Sequence, residues 1–410
     1  MATAAVQTPA SVAARPTQAL DLSIVIPCLN EAETLGACIR QARLGIQRSG
    51  LEGEIIVADN GSSDGSTDIA LSLGARLVKV PQRGYGNASR AGIEAAKGRF
   101  VIMGDADLSY DFSELRPFLE RFSEGFDLVI GNRFKGGIQP GAMPWQNRWI
   151  GNPVLTALGR LFFGASVGDF HCGLRGFTKQ AYDQLSLTAG GMEFASEMVV
   201  KATFRRLRVT EVGVVLRPDG RSHPPHLRRW RDGWRHLRFM LLFSPRWLFL
   251  YPGLALIGFG GLVSAWLLPT GHRLGPIGFD VDTLLVAAAM ALVGYQLVIF
   301  AVFSKVYATQ VGLLPANPWL NRLYRHVKLE VGLAAGVLMV AAGVAALIGA
   351  TLMWESVSFG VLDPRQSMRL VIPAVTLLAV GVETIFASFF LSILGIELGP
   401  IHPAAASTGE

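Results

Sequence analysis

Two carboxylates one residue apart, Asp105 and Asp107 on either side of Ala106, follow an apolar run at residues 99–104 and offer hard oxygen ligands to a divalent cation. The run is rich in strand formers and comes after the turn pair Lys97 and Gly98, so the two acids should sit at the carboxyl edge of a buried strand. Open α/β sheets bind ligands at that edge. A cation held there keeps positions free for phosphate oxygens, which makes a nucleotide diphosphate the expected ligand. Asp-x-Asp also occurs in solvated turns, and the neighbouring segments decide between the two readings.

Those segments form a rhythm. An apolar run at 22–27 leads into Cys28, Leu29, Asn30 and Glu31, and a second run at 54–58 ends in the polar stretch from Asp59 and Asn60 to Thr67. Helical patterns begin near Thr34 and near Ile69, the second with Asp64 or Ser66 as its cap. Strands alternating with helices predict right-handed βαβ units in a mostly parallel sheet, with polar clusters gathered at the strand ends.

Further along come Gly84-Tyr85-Gly86 with Arg90, then Gly131-Asn132-Arg133-Phe134, then Asp169 with Gly173-Leu174-Arg175, and then Arg217-Pro218-Asp219-Gly220-Arg221-Ser222. Together and in this order, the segments over residues 22–243 resemble the family 2 glycosyltransferases of GT-A fold, specifically those that act on polyprenyl phosphates. The resemblance implies a Rossmann-like α/β domain using Mg2+ or Mn2+ at Asp105 and Asp107, with Ser109 where relatives often carry Gln. It implies nucleotide-sugar contacts from Pro27, Leu29, Asn30, Glu31, Asp59, Asn60, Arg90, Asp105, Ala106, Arg217 and Ser222. Arg133, Arg148 and Asn152 fall on the acceptor-phosphate positions, and Asp105, Asp107 and Arg133 on the catalytic ones.

Cations suit such an acceptor better than a general base. A phosphate monoester with a second pKa near ~6 is already ionised at neutral pH, so it needs to be held in line rather than deprotonated. Arginine does this through bidentate contacts. The loop at 217–222 resembles a segment that closes on the donor diphosphate; His223 follows where many relatives have lysine, and Arg221 is the alternative second cation. Gln146-Asn147-Arg148-Trp149 is one residue short of a processive-synthase signature and precedes Asp169, which argues against polymerisation. Gly84-x-Gly86 lacks the spacing of a dinucleotide fingerprint and reads as tight packing of a helix against the sheet.

Composition shifts near Pro245. Four apolar stretches at 248–268, 284–303, 331–353 and 370–394 each have the ~20 residues that a bilayer core requires. Lys305, Arg322, Arg325 and Lys328 lie between the second and third, while Arg273 alone lies between the first and second, so the enzyme domain and the C-terminus are expected to face the cytoplasm. Residues 226–244 mix Arg and Trp as in a helix lying among lipid headgroups, which assigns the net charge of +6 to a membrane surface rather than to nucleic acid. Glu383, inside the fourth stretch, is costly to bury and could pair with Gln296.

The expected organisation is a disordered leader at 1–20, a GT-A domain at 21–225, an interfacial helix at 226–244, four spans at 245–396 and a tail at 397–410. Cys28, Cys38 and Cys172 lack metal spacing and are expected as reduced thiols. The expected function is inverting transfer of one hexose from a UDP-glucose- or GDP-mannose-type donor to a dolichyl or undecaprenyl phosphate. The spans are compatible with a homo-oligomer and fix no count. Two alternatives stay open: a hydroxyl acceptor served by a base near Asp169 or Glu193, and a non-catalytic component that binds nucleotide sugar.

Overall fold

A computed structural model describes residues 20–222, 229–310, 314 and 329–395. The leader up to residue 19, His223, the first residues of the interfacial segment, the basic residues Arg322, Arg325 and Lys328, and the tail at 397–410 lie outside the described residues. The chain divides into two compact units, Met1–Met240 and Leu241–Glu410.

Among its described residues the first unit is built on seven strands: β1 (Leu22–Cys28), β2 (Gly53–Asp59), β3 (Arg76–Lys79), β4 (Phe100–Met103), β5 (Leu128–Asn132), β6 (Arg175–Thr178) and β7 (Val209–Gly213). They lie in the order β3-β2-β1-β4-β6-β5-β7. All seven residues of β1 are buried, as a central parallel strand covered on both faces requires. The edge strands β3 and β7 are only partly covered. β6 is the one antiparallel member, pairing with both β4 and β5, and no alternation in its four residues signals that insertion.

Helices α1 (Ala32–Ser49), α2 (Ser66–Ser72) and α3 (Tyr85–Ala95) connect the first four strands. The chain steps outward from β1 to β2 to β3, and α3 then returns it to the far side of β1 as β4. The order of strands therefore reverses between β1 and β4, and a crevice opens beyond their carboxyl ends. Cys28, Asp59, Met103 and Asn132 all finish on this rim, and β6 starts there with Arg175 opposite Met103. The α2 cap is Gly65 at φ +89°, with Asp64 one position earlier accepting from the Ser66 amide and hydroxyl.

Glycines set two close approaches. A Cβ on Gly92 would lie 2.5 Å from Val25 Cγ1 and 3.1 Å from Ala58 Cβ, so this residue seats α3 on the sheet. Gly84 and Gly86 instead meet the Gly190 and Ala189 carbonyls, at 2.2 and 2.3 Å from their would-be Cβ atoms, so the packing expected against the sheet is made against the 189–191 loop.

Among the described residues of the second unit, four helices have the length and apolarity of membrane spans: Arg246–Leu267, Val281–Gln310, Leu329–Glu355 and Pro364–Leu394. Small residues meet where they touch: a Cβ on Gly336 would lie 2.8 Å from the Gly381 carbonyl, and one on Gly253 would lie 2.8 Å from that of Gly294. Glu383 hydrogen-bonds Gln296 between two of the spans. A short hairpin, His272–Leu274 with Ile277–Phe279, joins the first two.

Replacing Gly92 with Val should destabilise the first unit by about 1–3 kcal/mol, because the added methyls overlap Val25 and the sheet cannot recede. Thermal unfolding of the purified protein measures this, and an unchanged midpoint would show that α3 is not seated there.

Candidate active site

Past β4 the chain turns through Asp105, Ala106 and Asp107, with Leu108 in the left-handed region at φ +64°. That turn folds Ser109 back, and its amide and hydroxyl both donate to Asp107 Oδ1, at 3.0 and 2.5 Å. Asp105 accepts from the Tyr85 hydroxyl and lies against Gly173, where a Cβ would stand 2.2 Å from Asp105 Oδ2. Burial, and then the neighbouring Asp107, push the Asp105 carboxyl up to about 6. A paired carboxylate in that condition favours a nearby cation.

One cation comes from the 217–222 loop. Gly220 and Arg217 donate their amides to the Asp107 and Ser109 carbonyls at 2.9 and 3.0 Å, which lays the loop along the acidic turn. Arg221 then reaches Asp107 Oδ2 at 2.9 Å and Glu31 Oε1 at 2.9 Å. Burial opposes its charge, yet Asp107 and then Glu31 hold the guanidinium above its usual range. Arg217 itself pairs with Asp111 at 2.8 Å, and Ser222 binds Glu33 through its amide and hydroxyl at 2.8 and 2.5 Å.

The β1 and β2 loops interlock. Asn30, at φ +54°, accepts from the Ser63 amide at 2.8 Å, and Glu31 donates its amide to Ser66 Oγ at 2.9 Å. Asp59 accepts from the amides of Gly61 and Ser62 at 3.2 and 3.1 Å, so both of its oxygens serve its own turn. Asn60 ties this turn to α3 by donating to the Gln82 carbonyl at 2.8 Å and accepting from the Gly84 amide at 2.6 Å. Arg90 is held by Asn87 at 3.0 Å and by the Thr188 carbonyl at 3.3 Å.

These loops enclose a cavity of about 410 Å³. Pro27, Leu29, Glu31, Asn60, Asp105, Ala106 and Asp107 line it. Asn30, Asp59, Arg90, Ser109, Arg217 and Ser222 stand behind or beside it and are not among the lining residues. Asp219 of the 217–222 loop lines it too, and lining residues that motif reading did not single out include Arg83, Met192, Arg231, Asp232 and Arg235. The last three belong to the helix Arg229–Leu242, where their basic pattern resembles a lipid-facing surface and hides their orientation.

The three acceptor positions are not among the lining residues, although the Arg133 charge acts on Asp105. Arg133 is buried against Asp169 in a bidentate pair, with Nε and Nη2 each 2.7 Å from a carboxylate oxygen and the Arg133 amide adding a third contact at 3.1 Å. Arg148 stacks over the Trp149 ring at 5.4 Å, and Asn152 donates to Met143 Sδ at 3.4 Å. Beneath the rim, fully buried Arg175 donates to the carbonyls of Phe170, Cys172 and Ala195. His171 and His236 meet edge to face at 4.4 Å, and both their rings approach the Ser196 hydroxyl, at 3.3 and 2.9 Å.

Removing Asp169 by substitution with Ala would strand the Arg133 charge in a buried site and should lower stability by about 3–5 kcal/mol. Denaturant unfolding measures it, and a paired Arg133→Leu change should recover part of the loss. Burial depresses both histidines, His236 to about 4 and His171 well below its ordinary range. The unfolded chain therefore takes up protons first, and stability should fall as pH drops from ~6.5 towards about 4. Thermal midpoints across that window should flatten in His236→Gln; an unaltered slope would remove these histidines from the acid response.

The sequence comparisons agree with this architecture. Residues 23–186 match the family described as Glycosyl transferase family 2, and residues 302–395 match Glycosyltransferase family 2 C-terminal transmembrane region. The low-salt glycan biosynthesis hexosyltransferase Agl6 of Haloferax volcanii is 34% identical over 91% of this chain and 89% of its own. The dolichyl-phosphate hexose transferase of the same organism is 28% identical over 48% of this chain and 83% of its own. A solved structure of glucosyl-3-phosphoglycerate synthase from Mycobacterium tuberculosis, 26% identical, aligns over 54% of this chain and 78% of that one with a TM-score of 0.43. With the Agl6 likeness running nearly end to end, this chain belongs to the family 2 glycosyltransferases.

Proposed function

We propose that the protein transfers one hexose from a nucleotide sugar to a polyprenyl phosphate at the cytoplasmic face of a membrane, with inversion at the anomeric carbon. The observation that carries this reading is the convergence of Asp105, Asp107 and Arg221 on one cavity at the switch point of the sheet, a place suited to a nucleotide diphosphate. Relatives named as hexosyltransferase and as dolichyl-phosphate hexose transferase support the sugar and acceptor classes. Four candidate spans support a lipid-bound acceptor.

The donor set fits a hard divalent cation. Asp105 and Asp107 line the cavity side by side on one turn, and among the described residues no group of three or more His, Cys, Asp or Glu side chains is placed to hold a metal. Such an open oxygen set suits Mg2+ or Mn2+, whose remaining positions go to phosphate and water. When bound, the ion supplies charge neutralisation to the departing diphosphate. Ser109 orients Asp107, Tyr85 orients Asp105, and Glu31 holds Arg221 over the same region. Pro27, Leu29 and Asn60 form the wall on the nucleoside side. Asp169 and Glu193, the two positions considered for a general base, are not among the lining residues, and Asp169 is occupied by Arg133. A nucleophile that arrives already ionised agrees with that arrangement.

The test is incubation of the full chain with UDP-glucose or GDP-mannose and with dolichyl or undecaprenyl phosphate, scoring the lipid-linked sugar. Chelation should stop turnover, and Asp107→Asn should lower kcat by about 10²-fold or more while thermal unfolding remains cooperative. Transfer that persists in chelator, or that uses only a water-soluble alcohol, would refute the proposal.

A further inference from the structure

Both oxygens of Asp107 accept hydrogen bonds from the protein itself. Ser109 takes Oδ1 with its amide and hydroxyl, and Arg221 Nη2 donates to Oδ2 at 2.9 Å. The same Nη2 lies 2.9 Å from Glu31 Oε1, while Nε donates to Glu31 Oε2 at 3.0 Å, so one guanidinium bridges two carboxylates. None of the three side chains is more than 13% exposed. Water screens such a bridge far less than it screens an ion pair on the surface.

The loop that carries Arg221 is fastened on either side of it by bonds that do not involve the guanidinium. Gly220 donates its amide to the Asp107 carbonyl, and Ser222 donates its amide and hydroxyl to Glu33. The side chain can therefore leave Asp107 while its loop stays in place. Arg221, Asp105 and Asp107 line one cavity. With Oδ1 taken twice by Ser109, a divalent ion on Asp107 must either share Oδ2 with the guanidinium or displace it. Two positive centres so close together in a poorly solvated place repel strongly. A diphosphate relieves that conflict, because it offers oxygens to the ion and a bidentate partner to the arginine.

We infer that Arg221 makes ion binding conditional on the nucleotide: it competes with a divalent cation for Asp107 Oδ2 and gives way when a diphosphate enters to receive it. This rests on the reading of Asp105 and Asp107 as the ion's ligands. The ion and the nucleotide then load as a unit, and each raises the affinity of the other by the same factor.

The test uses the full chain in neutral detergent without acceptor, and follows Mn2+ by the loss of its free-ion electron paramagnetic resonance signal, corrected for Mn2+ held by free nucleotide. In wild type the Mn2+ Kd should tighten about 10-fold or more when UDP or GDP, whichever the protein binds, is added. Arg221→Gln should bind Mn2+ alone about 10-fold more tightly than wild type does and should lose most of the dependence on nucleotide. Arg221→Lys keeps the charge and should resemble wild type, which separates charge from loosening of the loop, and cooperative thermal unfolding checks the fold of each variant. An Mn2+ affinity that is unchanged or weaker in Arg221→Gln overturns the inference, and so does Arg221→Lys behaving like Arg221→Gln. If wild type takes up no Mn2+ even with nucleotide, or Asp107→Asn takes up as much as wild type, the reading of the ion's ligands fails first and the competition with it.

Discussion

Two like charges on one short turn repel each other, and most of the rim can be understood as the means of keeping them there. Ser109 folds back on Asp107, Tyr85 donates to Asp105, and Arg221 brings a positive charge from a loop more than a hundred residues later in the chain. Glu31 in turn holds Arg221, so the β1 loop, the β4 loop and the 217–222 loop become one electrostatic unit. The sheet contributes the geometry: the reversal of strand order between β1 and β4 opens the space into which this unit projects.

The α/β half was legible because its evidence is local. Continuous apolar runs marked β1, β2 and β4, and the polar stretches after them marked the rim. β6 was not legible, because four residues carry too little pattern to reveal that a strand enters antiparallel between two parallel neighbours. The spans were legible from length and apolarity alone, and the glycines among them meet backbone carbonyls of neighbouring helices.

For the site, motif positions near strand ends were informative about the cavity's acidic side. Position alone did not reveal direction. Asp59 sits at the rim yet turns both oxygens onto its own loop, and Arg133 follows β5 at the rim yet faces a buried carboxylate. Whether a charged side chain faces a ligand or a partner depends on what the rest of the fold brings beside it, and Asp169 lies 36 residues away from Arg133 in sequence. The Arg229–Leu242 helix shows the same limit in reverse, since a pattern typical of lipid contact also turns Asp232 and His236 inward beside Met240.

Arg175 adds a mechanical consequence. One rigid, planar group buried at the start of β6 is fastened to three carbonyls on two separate segments, the 170–172 stretch and the beginning of the helix Phe194–Phe204. The first segment carries the neighbours of Asp169; the second carries Ser196. A displacement of either is therefore transmitted to the other as through a strut, and a flexible ammonium at this position could not hold both ends at fixed angles.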